Sequence, residues 1–137
     1  MTHKALIKMK STVDGEEIYN EYRGEYAFKN GAHNFVYTDY TGNAVTKNAV
    51  EANQEKMLLH RIGAINGDML FDRLTDTVTR YDAFMVTHGF LVHTYEYKLT
   101  ESENTVEINL HYGLNDGSGA EEINGQQNII IEIGEAL

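Results

Sequence analysis

Apolar and polar residues alternate with a period of two along nearly the whole chain. The pattern is cleanest where Val106, Ile108, Leu110, Tyr112 and Leu114 interleave with Glu107, Asn109, His111 and Gly113. Successive side chains of a β-strand point to opposite faces, so such a segment sends one row into a core and the other into water. The same pattern recurs between turn signals, and the chain has no Pro to remove a ladder donor. It predicts an all-β protein, a single domain of roughly eight to ten strands in a mainly antiparallel sheet curled into a barrel or sandwich.

The first strand is expected from Lys4 to Val13 and the second from Glu17 to Lys29, ended by Asp14-Gly15 and Asn30-Gly31. Both dipeptides are strong hairpin signals, because a type I′ turn needs positive φ at its two central residues. In the second strand Ile18, Asn20, Tyr22, Gly24, Tyr26 and Phe28 form the inward row, with Tyr19, Glu21, Arg23 and Glu25 outside. Gly24 falls mid-strand on the crowded face, where a missing side chain marks a bend or bulge. A third strand spans His33 to Tyr40, before a turn at Thr41-Gly42-Asn43. From Ala44 to Asn53 the β-branched Val45, Thr46 and Val50 favour a strand, although Ala49, Glu51, Ala52 and Glu55 also suit a helix.

Met57 to Ile62 reads as a strand whose first residues, Met57-Leu58-Leu59, are apolar on both faces, and Ile65-Asn66-Gly67-Asp68 as a tight turn before Met69 to Phe71. Thr77 to Phe84 follows, and His88-Gly89 is expected to open a long strand from Phe90 to Thr100 with Leu91, His93, Tyr95, Tyr97 and Leu99 inward. After Thr105 to Leu114 comes the most flexible composition, Asn115-Asp116-Gly117-Ser118-Gly119, and then a last strand from Gln127 to Ile133. No repeat or linker divides the chain, so residues 1–137 are expected to form one domain.

A chain of 137 residues is long enough to bury roughly two-thirds of its unfolded surface without staples. It has no Cys, which excludes a disulfide framework or a thiolate site and suits a reducing compartment. The residues Met1 to Lys8 lack the apolar run of a signal peptide, and no stretch approaches a membrane span, so a cytoplasmic location is expected. With 11 basic and 21 acidic side chains the formal charge is −10, which repels phosphate backbones and argues against nucleic acid as a partner. The acidic residues are scattered, which serves solubility.

The order of segments resembles the YwiB-like family of bacterial calycin-type, lipocalin-like β-barrel proteins. The likeness is carried by Leu58-Leu59-His60-Arg61-Ile62-Gly63, Asp68-Met69-Leu70-Phe71, Tyr81, Thr87-His88-Gly89-Phe90-Leu91, and Val106 to Tyr112. The resemblance implies a closed antiparallel barrel of unassigned activity, and it brings no functional residues with it. The chain has no Trp, hence none of the Gly-x-Trp that opens true lipocalins, and secreted transport is not implied.

A small barrel has an interior that side chains can just fill or that holds one small ligand. The inward rows collect Tyr22, Tyr26, Tyr37, Tyr95, Tyr97 and Tyr112 with His93, more hydroxyl and imidazole than an aliphatic core requires. Each buried polar group needs a partner, which a ligand, water or the rim would supply. Arg61 and Arg80 lie in otherwise neutral strands; facing inward, either guanidinium can bind a carboxylate or phosphate through paired donors, or pair with Asp72, Asp76 or Asp82. Arg61 lies in the stretch that carries the resemblance.

The six His show no metal-ligand spacing, since His88 and His93 fall on opposite faces of one strand. Ser118 lacks the strand-to-helix elbow of a hydrolase nucleophile. No metal or cofactor is therefore expected. The leading expectation is a non-catalytic barrel binding a small, partly apolar or anionic molecule through Arg61, Arg80, His93, Tyr95, Tyr97, Tyr22 and Tyr112. Two alternatives stand beside it: a solid-cored assembly module using Tyr19 and Tyr40, for instance as a homodimer, and an enzyme with His93 or His111 as general base.

Overall fold

The computed structural model describes residues 1–42 and 44–137. Asn43, the last residue of the expected turn at Thr41-Gly42-Asn43, lies outside them. Ten antiparallel strands form a closed barrel: β1 (His3–Val13), β2 (Glu16–Lys29), β3 (Ala32–Asp39), β4 (Thr46–Ala52), β5 (Lys56–Gly63), β6 (Ile65–Asp72), β7 (Thr77–Ala83), β8 (Val86–Ser102), β9 (Thr105–Asn115) and β10 (Ile123–Ala136). Each strand pairs with its neighbour in sequence, and β10 returns to pair with β1. Ile7, Ile108, Ile129 and Ile131 are fully buried where β1, β9 and β10 meet.

The first two turns form as the dipeptides dictate, with positive φ at Asp14 and Gly15 and again at Asn30 and Gly31. The segment with mixed propensity is a strand, β4, its inward row Thr46, Asn48, Val50 and Ala52 buried against both neighbours. Packing on an apolar face outweighs the weak helix preference of Ala and Glu.

Three expectations need correction. Ile65-Asn66-Gly67-Asp68 is not a turn but the start of β6. The chain reverses earlier, at Gly63 and Ala64, where Ala64 N–H donates to the Val45 carbonyl at 2.9 Å and the Asn66 side chain bonds both N–H and C=O of Gly63. Gly67 serves a close approach within the sheet: at φ +146°, a Cβ there would lie 2.6 Å from the Arg80 carbonyl oxygen. Likewise, His88-Gly89 does not open a strand but lies inside β8. The β7–β8 turn is made by Phe84 and Met85, both exposed and both at positive φ without a Gly.

The third correction concerns β8. The register between β8 and β9 shifts between Thr94 and Glu96, so one extra residue enters the strand and the two sides of the shift obey opposite parity. Val92 and Thr94 point inward before it, Tyr97 and Leu99 after it, and Leu91, His93 and Tyr95 lie on the outer wall.

Two neighbouring pairs run together over only part of their length. β2 pairs β3 from Glu25 to Lys29 alone, and β6 pairs β7 only from Ile65 to Gly67. Further along the second seam the hydroxyls of Thr77 and Thr79 donate to the β6 carbonyls of Leu70 and Asp68. At the first seam β3 presses on Gly24, where a Cβ would sit 2.1 Å from the Val36 carbonyl oxygen. Gly24→Ala is therefore expected to cost about 1–3 kcal/mol, measured as a lowered urea midpoint with an unchanged denaturant slope.

Candidate ligand site

The two ends of the barrel differ in how their polar groups are satisfied. At one end the Tyr26 hydroxyl lies 2.7 Å from His33 Nδ1, and His33 Nε2 lies 2.8 Å from Glu101. This chain ties β3 to β8, strands on opposite sides of the ring. The Tyr97 hydroxyl donates to the Asn53 carbonyl at 2.6 Å, fastening β8 to the β4–β5 turn. That end is closed, and its polar groups are paired.

The other end holds a cavity of about 230 Å³ inside the barrel. Its floor is apolar, formed by Met9, Val50, Met57, Leu59 and Ile129, and Asn20, Tyr22, Tyr37, Asn48 and Arg61 stand above it. Cross-strand register assembles this group, since Asn48 faces both Tyr37 on β3 and Arg61 on β5. Gly67, opposite Arg61 on β6, adds no side chain of its own. Tyr22 and Tyr37 pack with ring centroids 4.5 Å apart across the β2–β3 seam.

Among the described residues, no hydrogen bond or ion pair engages the Arg61 guanidinium or the hydroxyls of Tyr22, Tyr37 and Tyr112. Arg61 does not pair with Asp72, Asp76 or Asp82. Tyr112 also points into the barrel, packed on Phe71 at 5.0 Å and over Gly125, near enough for the Arg61 charge to act on its phenol. Across from it on β8 is Thr94, whose buried Oγ1 has no partner. Burial pushes the Tyr37 and Tyr112 phenols up from the ordinary value, with Arg61 pulling both partly back. Burial first, and Asp39 second, raises Tyr22.

Of the residues singled out from sequence, the structure gathers Tyr22, Arg61 and Tyr112 inside. Tyr97 also points inward, but its hydroxyl is consumed at the closed end. Arg80 is exposed on the outer wall, because parity in β7 turns Thr79 and Tyr81 inward instead. His93 and Tyr95 are outside as a result of the β8 shift. His93 Nδ1 lies 2.6 Å from Asp76, and the Tyr95 hydroxyl donates to Glu122 at 2.6 Å. His111 is on the same outer face, bonded to Asn124 at 2.9 Å, so neither imidazole considered as a general base reaches the cavity.

The half-buried imidazole of the barrel interior is His88, stacked on Tyr81 at 5.2 Å. Sequence reading missed His88, Tyr81 and Asn48. The signal for His88 was present, since Val92 and Phe90 share its parity, but only the residues before Tyr95 carry it. Among the described residues no three His, Asp or Glu side chains gather as a metal site, and no helix is long and apolar enough to cross a membrane.

The model of a family described as a domain of unknown function, DUF1934, matches residues 4–129. The chain belongs to the DUF1934 family. The barrel of this DUF1934 chain is also similar to the crystal structure of the ywiB protein from Bacillus subtilis. The TM-score is 0.81 at 20% sequence identity, with 97% of this chain and 93% of that chain covered. That likeness supports the fold of the DUF1934 barrel. No curated protein matches the chain.

Burial raises the phenols of Tyr37 and Tyr97 above the ordinary 10.0. A group whose folded-state pKa is raised stabilises the fold fully below its unfolded value and loses that contribution as pH climbs above it. Stability is thus expected to be insensitive to these groups below pH about 10 and to fall steeply above it. Phenolate absorbance of Tyr37 and Tyr97 should appear only together with loss of β-sheet circular dichroism.

Proposed function

We propose that the open end of the DUF1934 barrel binds a small anionic molecule with a compact apolar part. The reading is lipocalin-like in the sense that the ligand lies inside the barrel. Arg61 supplies the charge, with the Asn48 amide and the Tyr22, Tyr37 and Tyr112 hydroxyls as neutral partners. The observation that carries the reading is the contrast between the two ends. One end pairs its Tyr, His and carboxylate groups with each other, whereas the other presents a guanidinium and several hydroxyls that have no partner among the described residues, above an apolar floor.

A half-buried guanidinium without a counter-ion is costly to keep, and an anion with paired acceptor oxygens satisfies its planar donor fork. The cavity limits the occupant. A volume of about 230 Å³ corresponds to roughly eight waters at ~30 Å³ each, and it falls below the usual range for drug-sized ligands. Asp39 at the rim and the net charge of −10 disfavour ligands carrying several negative charges. The Cys-free sequence supports a reducing, cytoplasmic setting.

Thermal unfolding with a panel of short carboxylates and inorganic phosphate tests this. A ligand present at a hundred times its dissociation constant should stabilise the wild type by about 2.7 kcal/mol. Arg61→Ala should abolish the shift, and Arg80→Ala, on the outer wall, should leave it intact. No stabilisation by any small anion, or a shift that survives Arg61→Ala, would overturn the assignment.

A further inference from the structure

The barrel is closed as a ring, yet half of β2 has an open edge. Two-residue turns fix which backbone groups face which neighbour, because the residues flanking such a turn form a hydrogen-bonded pair and the pairing then alternates. Val13 pairs Glu16 across Asp14-Gly15, so Glu16, Ile18, Asn20 and Tyr22 direct their N–H and C=O groups to β1. Lys29 pairs Ala32 across Asn30-Gly31, so Lys29, Ala27 and Glu25 direct theirs to β3. Both counts agree that Glu17, Tyr19, Glu21 and Arg23 point their backbone groups away from β1. Among the described residues no strand receives them, because β3 leaves the ladder at Glu25. An outer groove of about 510 Å³ begins beside Arg23 and Gly24 and runs past Val36 and Thr38 of β3.

We infer that this edge pairs with the same edge of a second copy of the chain, making a symmetric antiparallel dimer centred on Asn20. The sequence of the edge is complementary to itself in that register. Glu17 falls opposite Arg23, Tyr19 opposite Glu21, and Ile18 opposite Tyr22, and twofold symmetry repeats each pair. The four residues with open backbone groups meet one another, so all of those groups are bonded. Sliding by one residue toward the turn sets Glu17 against Glu21, a like-charge pair, and sliding the other way runs into the part of β2 that β3 already occupies. Within one chain the Tyr19 hydroxyl already donates to Glu21 at 2.7 Å, so both side chains lie flat on the face where the partner's would sit.

Ile18 and Tyr19 are each 56% exposed, and the register covers both. Acidic groups on an edge usually discourage pairing. Here Arg23 answers Glu17 only in the one register, which selects a copy of this chain over an arbitrary strand. Ile18 and Asn20 also line the interior cavity, so the partner's strand would border its rim.

Sedimentation velocity over a concentration series, with circular dichroism on every variant, tests the dimer. The wild type is expected to dimerise and Glu21→Pro to be monomeric, since the N–H removed faces outward and takes no part in the β1 ladder. Arg23→Glu should weaken the dimer on the order of tenfold, because each of two symmetric pairs becomes repulsive. The double variant Glu17→Arg with Arg23→Glu should restore it. If Glu21→Pro fails to fold, the charge swap alone decides. A wild type that is monomeric throughout, or a dimer indifferent to the charge swap, would overturn the inference.

Discussion

Ring closure through β1 is the constraint on which the rest depends. β1 pairs along almost its whole length with β2 on one side and with β10 on the other, so the first strand cannot complete its ladder until the last has been placed. The backbone of a closed sheet has no spare edge except where neighbours diverge, and its interior is defined only once the ring shuts. Such non-local pairing slows folding, and it makes the apolar row of β1 the keystone of the core. Ile7 on β1, with Ile129 and Ile131 on β10, has essentially no exposure.

Closure also explains why the polar groups divide between the two ends. In the middle layers the facing rows are mostly aliphatic and aromatic. Polar side chains are pushed toward the ends, where they meet each other or water. At one end the Tyr26, His33 and Glu101 chain reaches across the ring, and its members satisfy one another. At the other end β3 has parted from β2, and among the described residues Arg61 and its neighbouring hydroxyls have no hydrogen-bond partner.

Much of this was legible in the sequence, because a period of two reports strand and face at once. The Asp-Gly and Asn-Gly turns and the inward rows of β2 and β9 followed from it directly, whereas Arg61 and Arg80 looked alike in sequence and the structure turns only Arg61 inward. Errors arose where a single residue breaks parity or where backbone conformation is not advertised by residue type. The extra residue at Tyr95 is invisible to alternation counted back from Tyr97 and Leu99, and it moved His93 and Tyr95 to the wrong face. Phe84 and Met85 form a turn without any turn residue, so β8 was expected to begin late. Gly67 signals a turn by composition but serves a close contact between strands. The cavity itself was beyond sequence reading, since it depends on where two neighbouring strands separate.

The seams give the barrel an uneven stiffness. They divide the wall into a four-strand panel, β3 to β6, and a six-strand panel, β7 through β10 to β1 and β2. The panels are joined by backbone ladders at diagonally opposite corners, β2–β3 near the closed end and β6–β7 near the open one. A plate held at two opposite corners has one soft motion, a swing about the diagonal between them. Thr77 and Thr79 tie the free part of the β6–β7 border, and among the described residues no hydrogen bond spans the free part of the β2–β3 border, where Tyr22 and Tyr37 pack ring on ring. The border beside Arg61 is thus the least braced stretch of the wall, and it lies at the mouth of the cavity.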